Sequence, residues 1–165
     1  MKLATRDNGT PDGELVVVAG SGASYAPASP RWPNLLAAIE DWAAAESQLR
    51  ALSSQTGAAL DPAALRAPLP RTWQWLDGSA FQTHADLMQV AFGHDPLPFD
   101  KPLMYQGLSD RFIGPFEDVL FRSEADGIDF EGEFAVIVDR VPMGCSAADA
   151  LGHVKLVVQV NDWSL

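Results

Sequence analysis

The sequence predicts an α+β chain, and three observations predict it. A strand pair with a turn-rich connection opens the chain. Two stretches of helical periodicity follow in its middle. Two β-branched apolar runs, each bordered by acidic residues, lie near its end. At 165 residues, 47% of them hydrophobic and 20% charged, the chain has enough apolar material for a substantial core and too little charge for disorder. The net charge is −11, with 22 acidic against 11 basic residues, which disfavours nucleic acid and anionic membrane surfaces as partners. A single cysteine, Cys145, excludes an internal disulfide and suits a reducing compartment. The first residues turn polar too early for a signal peptide, and no apolar run approaches the roughly 20 residues needed to span a bilayer. A soluble cytoplasmic protein is the expectation.

In chain order, Lys2 to Arg6 and Glu14 to Ala19 read as an antiparallel hairpin, because Asp7-Asn8-Gly9-Thr10-Pro11-Asp12-Gly13 is dense in turn formers. Gly20 to Pro33 reads as loop; its Gly20-Ser21-Gly22 is too short, and lacks the lysine, for a phosphate-binding loop. From Asn34 to about Ser53 the spacing predicts one packing helix. Leu35, Ile39, Trp42, Leu49 and Leu52 form its stripe, Asn34 its cap and Gly57 its stop. Pro62 to Arg66 is a second short helical piece. Ala67-Pro68-Leu69-Pro70-Arg71 is a rigid connector, taken as the boundary between an N-terminal lobe (1–70) and a functional part (71–165).

Ser79 to Phe92 reads as a helix ended by Gly93, with Asp77 just before its start and His84 two turns in, so that the imidazole can turn back toward the acid. A histidine on a helix is most often structural, and alone this pair says little. Gly93 to Pro102 is a proline-rich loop. Pro102 to Gly107 reads as a short strand and Glu117 to Arg122 as another. Asp129 to Val138 is a buried strand. Ser146 caps a short helix, and His153 to Val160 is a strongly apolar strand ending in Asn161-Asp162-Trp163-Ser164.

The chemistry concentrates in Glu131-Gly132-Glu133. Side chains alternate along a strand, so both carboxylates project to one side. Two adjacent carboxylates at the mouth of a buried strand are costly to desolvate, and a hard divalent cation would relieve both that cost and their repulsion. An exposed acidic edge is the competing explanation for such a pair taken alone. His94 and His153 read as surface or packing residues, Cys145 as inert, and Trp73 and Trp75 as packing or lining the mouth of a site.

Taken together, Ala67-Pro68-Leu69-Pro70, Asp77 with His84, Lys101-Pro102 with Tyr105-Gln106-Gly107, Gly127 to Glu133, and Asn161-Asp162-Trp163-Ser164 resemble the fumarylacetoacetate hydrolase family. The likeness runs from about Lys2 to Leu165 and is most specific from Asp77 onward. It implies an α+β fold in which the N-terminal hairpin-and-helix lobe precedes the first part of a mixed β-roll. It implies that Asp77, Glu131, Glu133 and Asp162 are the four carboxylate ligands of a divalent cation, Mg²⁺ first, with Mn²⁺ or Ca²⁺ as alternatives. His84 would be the base.

The substrates implied are small 2-oxo acids and 1,3-dicarbonyls, such as the acylpyruvates of aromatic amino acid breakdown. The implied reaction is hydrolysis of a C–C bond, with decarboxylation or tautomerisation in other branches. The resemblance also implies a homodimer, and further strands beyond Leu165. Gly93 stands where some members carry an arginine. Without later neighbours for residues 154–160, the chain is expected to dimerise, aggregate or be partly ordered near its C-terminus. Two further readings stand beside the hydrolase: an inactive remnant that keeps the metal site, and a Ca²⁺-stabilised structural module.

Overall fold

The computed structural model describes residues 1–55, 57–95 and 101–165, in mixed helix and sheet. Half of the loop expected over Gly93 to Pro102, residues 96–100, lies outside the described residues. The described chain divides into two compact units, one of Met1–Pro70 with Phe112–Leu165 and one of Arg71–Arg111.

In the first unit, β1 (Lys2–Arg6), β2 (Glu14–Val18), β3 (Ser24–Pro27) and β4 (Ala58–Ala59) form an antiparallel sheet in chain order. The β1–β2 turn is built as its composition predicts. Asp7 and Asn8 accept from backbone amides two residues on, and Gly9 and Gly13 take positive φ. Ser24–Pro27 lies in the stretch expected to be loop. It is a strand because pairing with β2 buries Tyr25 and Ala26 despite the glycines and prolines around them.

The expected single helix is two, α1 (Leu35–Glu40) and α2 (Trp42–Leu52), broken at Asp41. The Asp41 carboxylate accepts from Trp32 Nε1 at 2.9 Å and from the Arg31 guanidinium at 2.8 Å, and its backbone leaves helical geometry at φ −124°, ψ 35°. Those bonds, the Trp32 bond foremost, hold its pKa below the usual carboxylate value. The Asn34 side chain does cap α1, accepting from the Ala37 amide. Leu35, Ile39, Trp42 and Leu49 are buried as predicted and pack with Trp32, Leu15 and Val17. Gly57 is not a helix stop. It lies against β3 so closely that a Cβ there would overlap the Tyr25 carbonyl oxygen.

Pro62–Ala64 form one 3₁₀ turn capped by Asp61. The chain then runs back along β1, with the Arg66 amide on the Thr5 carbonyl and the fully buried Thr5 hydroxyl donating to the Pro68 carbonyl at 2.6 Å. Glu117 to Arg122 is not a strand; Glu117 instead closes a turn by accepting the Gly114 amide.

The same unit carries the long hairpin of β7 (Asp129–Val138) and β8 (Val154–Ser164). Between them, Ser146 caps the short α4 (Ala147–Ala150) by accepting the Asp149 amide, as its sequence predicted. Strand β8 runs through Asn161–Ser164 rather than stopping at Val160, because β7 pairs with it to the end. Ile137 and Leu156 pack the hairpin against the core formed by Leu15, Trp32 and the two helices.

The second unit holds β5 (Trp75–Gly78), antiparallel to β6 (Met104–Gly107), and α3 (Gln82–Phe92). Trp75 meets Tyr105 edge-on at 5.5 Å and lies on Gly107 so closely that no side chain fits there. Gly93 closes α3 in the left-handed region, at φ 69°.

Candidate functional site

Alternation along β7 separates two faces. Glu131, Glu133, Ala135 and Ile137 are half-buried, while Phe130, Phe134, Val136 and Val138 are exposed. Across the ladder, Leu156, Val158, Val160 and Asp162 fall on the half-buried face. The register sets Glu131 opposite Asp162 and Glu133 opposite Val160, so Glu133 and Asp162 are diagonal neighbours. Their carboxylates offer oxygens within 4.8 Å of each other, and Glu131 stands on the same face, opposite Asp162. The aliphatic half of the face anchors to the core and the carboxylate half lies at the open end of the hairpin. The local donor set is therefore hard oxygen on a two-stranded support, which suits Mg²⁺, Mn²⁺ or Ca²⁺ rather than a thiolate-seeking metal.

The register depends on an irregularity near the other end. Ile137 pairs Leu156 and Val138 pairs Val154, so Lys155 is one residue more on β8 than β7 can match, a β-bulge. The bulge turns Lys155 Nζ onto Asp139 Oδ2 at 3.0 Å, while His153 Nδ1 meets Asp139 Oδ1 at 2.6 Å. Burial alone would push the Asp139 carboxyl up; the hydrogen bonds from His153 and Lys155 outweigh it and hold the group below its usual value. His153 is thus half-buried and engaged rather than a plain surface residue. No short-range motif announces this cluster, because it exists only once the bulge has been placed.

The other two predicted residues belong to the second unit. Asp77 is half-buried on β5, opposite Tyr105 of β6. The expectation that His84 lies two turns into a helix is corrected. Pairing with β6 carries the chain in extended form through Gly78, and the Ser79 amide still bonds the Leu103 carbonyl. Helix α3 therefore begins only at Gln82, with His84 half-buried in its first turn.

A family model described as fumarylacetoacetase N-terminal domain 2 matches residues 1–71, and one described as fumarylacetoacetate (FAA) hydrolase C-terminal matches residues 74–165. Among individual proteins, oxaloacetate tautomerase FAHD2A, mitochondrial, of Bos taurus is 25% identical over 75 residues, covering 42% of this chain and 24% of its own length. Oxaloacetate tautomerase FAHD2B, mitochondrial, of Bos taurus and the Homo sapiens FAHD2A match with the same figures. The matched part thus spans about a quarter of those relatives. The individual likenesses are thin, but the two family models run nearly end to end along the sequence, with the paired carboxylates of β7 and β8 inside the second, and the chain belongs to the fumarylacetoacetate hydrolase family.

Proposed function

We propose that this chain carries the divalent-cation site of an enzyme that acts on small 2-oxo acids or 1,3-dicarbonyls through an enolate. The observation that carries the reading is the β7–β8 register, which sets carboxylate oxygens of Glu133 and Asp162 within 4.8 Å on a half-buried face, with Glu131 opposite Asp162. In this reading Asp77, Glu131, Glu133 and Asp162 hold the cation, Mg²⁺ first and Mn²⁺ or Ca²⁺ as alternatives. The β7–β8 hairpin is the first part of a mixed β-roll. When bound, such a cation supplies Lewis-acid polarisation of a carbonyl and positive charge for an enolate oxygen.

The chain's own residues do the rest. The carboxylates fix where the substrate oxygens sit. The His84 imidazole, as the base of this reading, takes a proton. Taken from water, that proton transfer gives C–C hydrolysis of an acylpyruvate. Taken from the carbon next to the carbonyl, it gives keto–enol exchange. The names of the matched relatives favour the second, tautomerase, reading. A homodimer in the cytoplasm, with a small-molecule substrate and neither nucleic acid nor membrane as partner, completes the proposal. No helix among the described residues is long and apolar enough to cross a membrane.

The test assays the purified chain with Mg²⁺ on oxaloacetate, followed by its enol absorbance, and on an acylpyruvate, followed by cleavage. His84→Ala should abolish turnover and leave Mn²⁺ affinity unchanged. Metal binding without any turnover would replace this proposal with the inactive remnant or the structural Ca²⁺ module.

A further inference from the structure

The Glu131–Asp162 pair sits where a two-stranded ladder is weakest. Beyond it toward the open end only two registered pairs remain, Phe130 with Trp163 and Asp129 with Ser164. On its other side Gly132 faces Asn161, and Gly132 offers no side chain to a cross-strand contact. Carboxylates directly opposite each other contribute no attraction to the pairing themselves. Strand ends open with little free energy, so something must hold this end if the carboxylates are to keep one geometry.

On the opposite face of the same residues is an aromatic cluster. The Phe130 and Trp163 rings lie 4.9 Å apart, and the half-buried Phe121 ring lies 5.8 Å from Trp163 on its other contact. Phe130 is 51% and Trp163 41% exposed, so the cluster is a surface feature and not part of the core that anchors the hairpin's far end. Each of its two strand residues is the immediate chain neighbour of a carboxylate: Phe130 precedes Glu131 and Trp163 follows Asp162.

We infer that the Phe130–Trp163 ring pair, buttressed by Phe121, is a clamp that positions the Glu131–Asp162 carboxylate pair from behind. Trp163 is a positioning residue that acts through Asp162. The inference deepens the metal reading and rests on it for what the carboxylates are positioned to do.

The test uses the full chain with Trp163→Leu and Trp163→Phe. Amide hydrogen exchange without metal should quicken about fivefold at residues 130–132 and 161–163 in Trp163→Leu, the loss of one aromatic pair, and remain unchanged at 135–137 and 156–158. Calorimetric titration with Mn²⁺ should show affinity about fivefold weaker. Trp163→Phe, which keeps a ring, should restore both. Unchanged exchange at the open end, quickening spread evenly along the hairpin, or local quickening with unaltered Mn²⁺ affinity would each overturn the clamp. If the unmodified chain binds no Mn²⁺, the metal reading fails by itself, and the exchange pattern alone decides whether the rings hold the pair.

Discussion

Replacing Glu133 by glutamine removes one charge from the site and keeps its size. Its carboxylate and that of Asp162 have oxygens within 4.8 Å. Two unit charges at that distance repel by roughly 3.5 kcal/mol at an effective dielectric constant near 20, and by about 1 kcal/mol in water. A divalent cation held by both would turn that repulsion into attraction. At about 100 times its dissociation constant, Mn²⁺ should stabilise the folded chain by about 2.7 kcal/mol. For a chain of 165 residues, at roughly 2–4 °C per kcal/mol, that is a rise in Tm of about 5–11 °C. Loss of outer partners alone weakens metal sites about 10–100-fold, so if Glu133 is a ligand as proposed, its loss should cost at least the upper figure. At the same Mn²⁺ concentration the Glu133→Gln chain would then gain only about 0.4 kcal/mol, or roughly 1 °C. Differential scanning calorimetry with and without Mn²⁺ reads both values, and Glu124→Gln, an exposed acid on a 3₁₀ turn, controls for unspecific binding. Equal shifts in Glu133→Gln and the unmodified chain would refute the reasoning, as would no shift in either.

Two further outcomes follow from the first unit. Leu49 is fully buried among Trp32, Leu35 and Trp42, so Leu49→Ala should cost about 2–5 kcal/mol, seen as a lower urea midpoint at unchanged slope. Asp139 has a depressed folded-state pKa, so it contributes stability that is present above its unfolded value near 3.9 and is lost as pH falls through the folded value. Asp139→Asn should therefore lower stability at pH 7 and flatten its decline below about pH 4. Urea midpoints measured from pH 2 to 7 check this, and an unaltered acid slope would count against the role given to the His153 and Lys155 bonds.

What local pattern dictates was legible in the sequence. The β1–β2 turn, the Asn34 and Ser146 caps, the Gly93 stop and the shared face of Glu131 and Glu133 each depend on residues a few positions apart, and each is present. What escaped depends on distant partners. Asp41 breaks a helix whose periodicity is intact because Trp32, nine residues back, draws its side chain away. Tyr25 and Ala26 become a strand because β2 waits beside them. His84 lies in a first turn because β6, more than twenty residues later, holds the residues after Asp77 extended. The facing of Asp162 to Glu131 is of the same kind, since nothing near Asp162 records how many residues of β8 will pair.

That count is kept by Lys155. Counting from Val138 opposite Val154, an unbroken ladder would set Asn161 across from Glu131 and turn Asp162 to the outer side with the aromatic rings. One unmatched residue, some ten ångströms or more along the strand from Glu133 or Asp162, shifts every later position by one and so selects which of two neighbouring side chains, an amide or an acid, enters the proposed site. The acidity of this face is thus written partly as a length, and a homologous chain with the same Asn-Asp pair but no extra residue would present a different donor set from nearly the same letters.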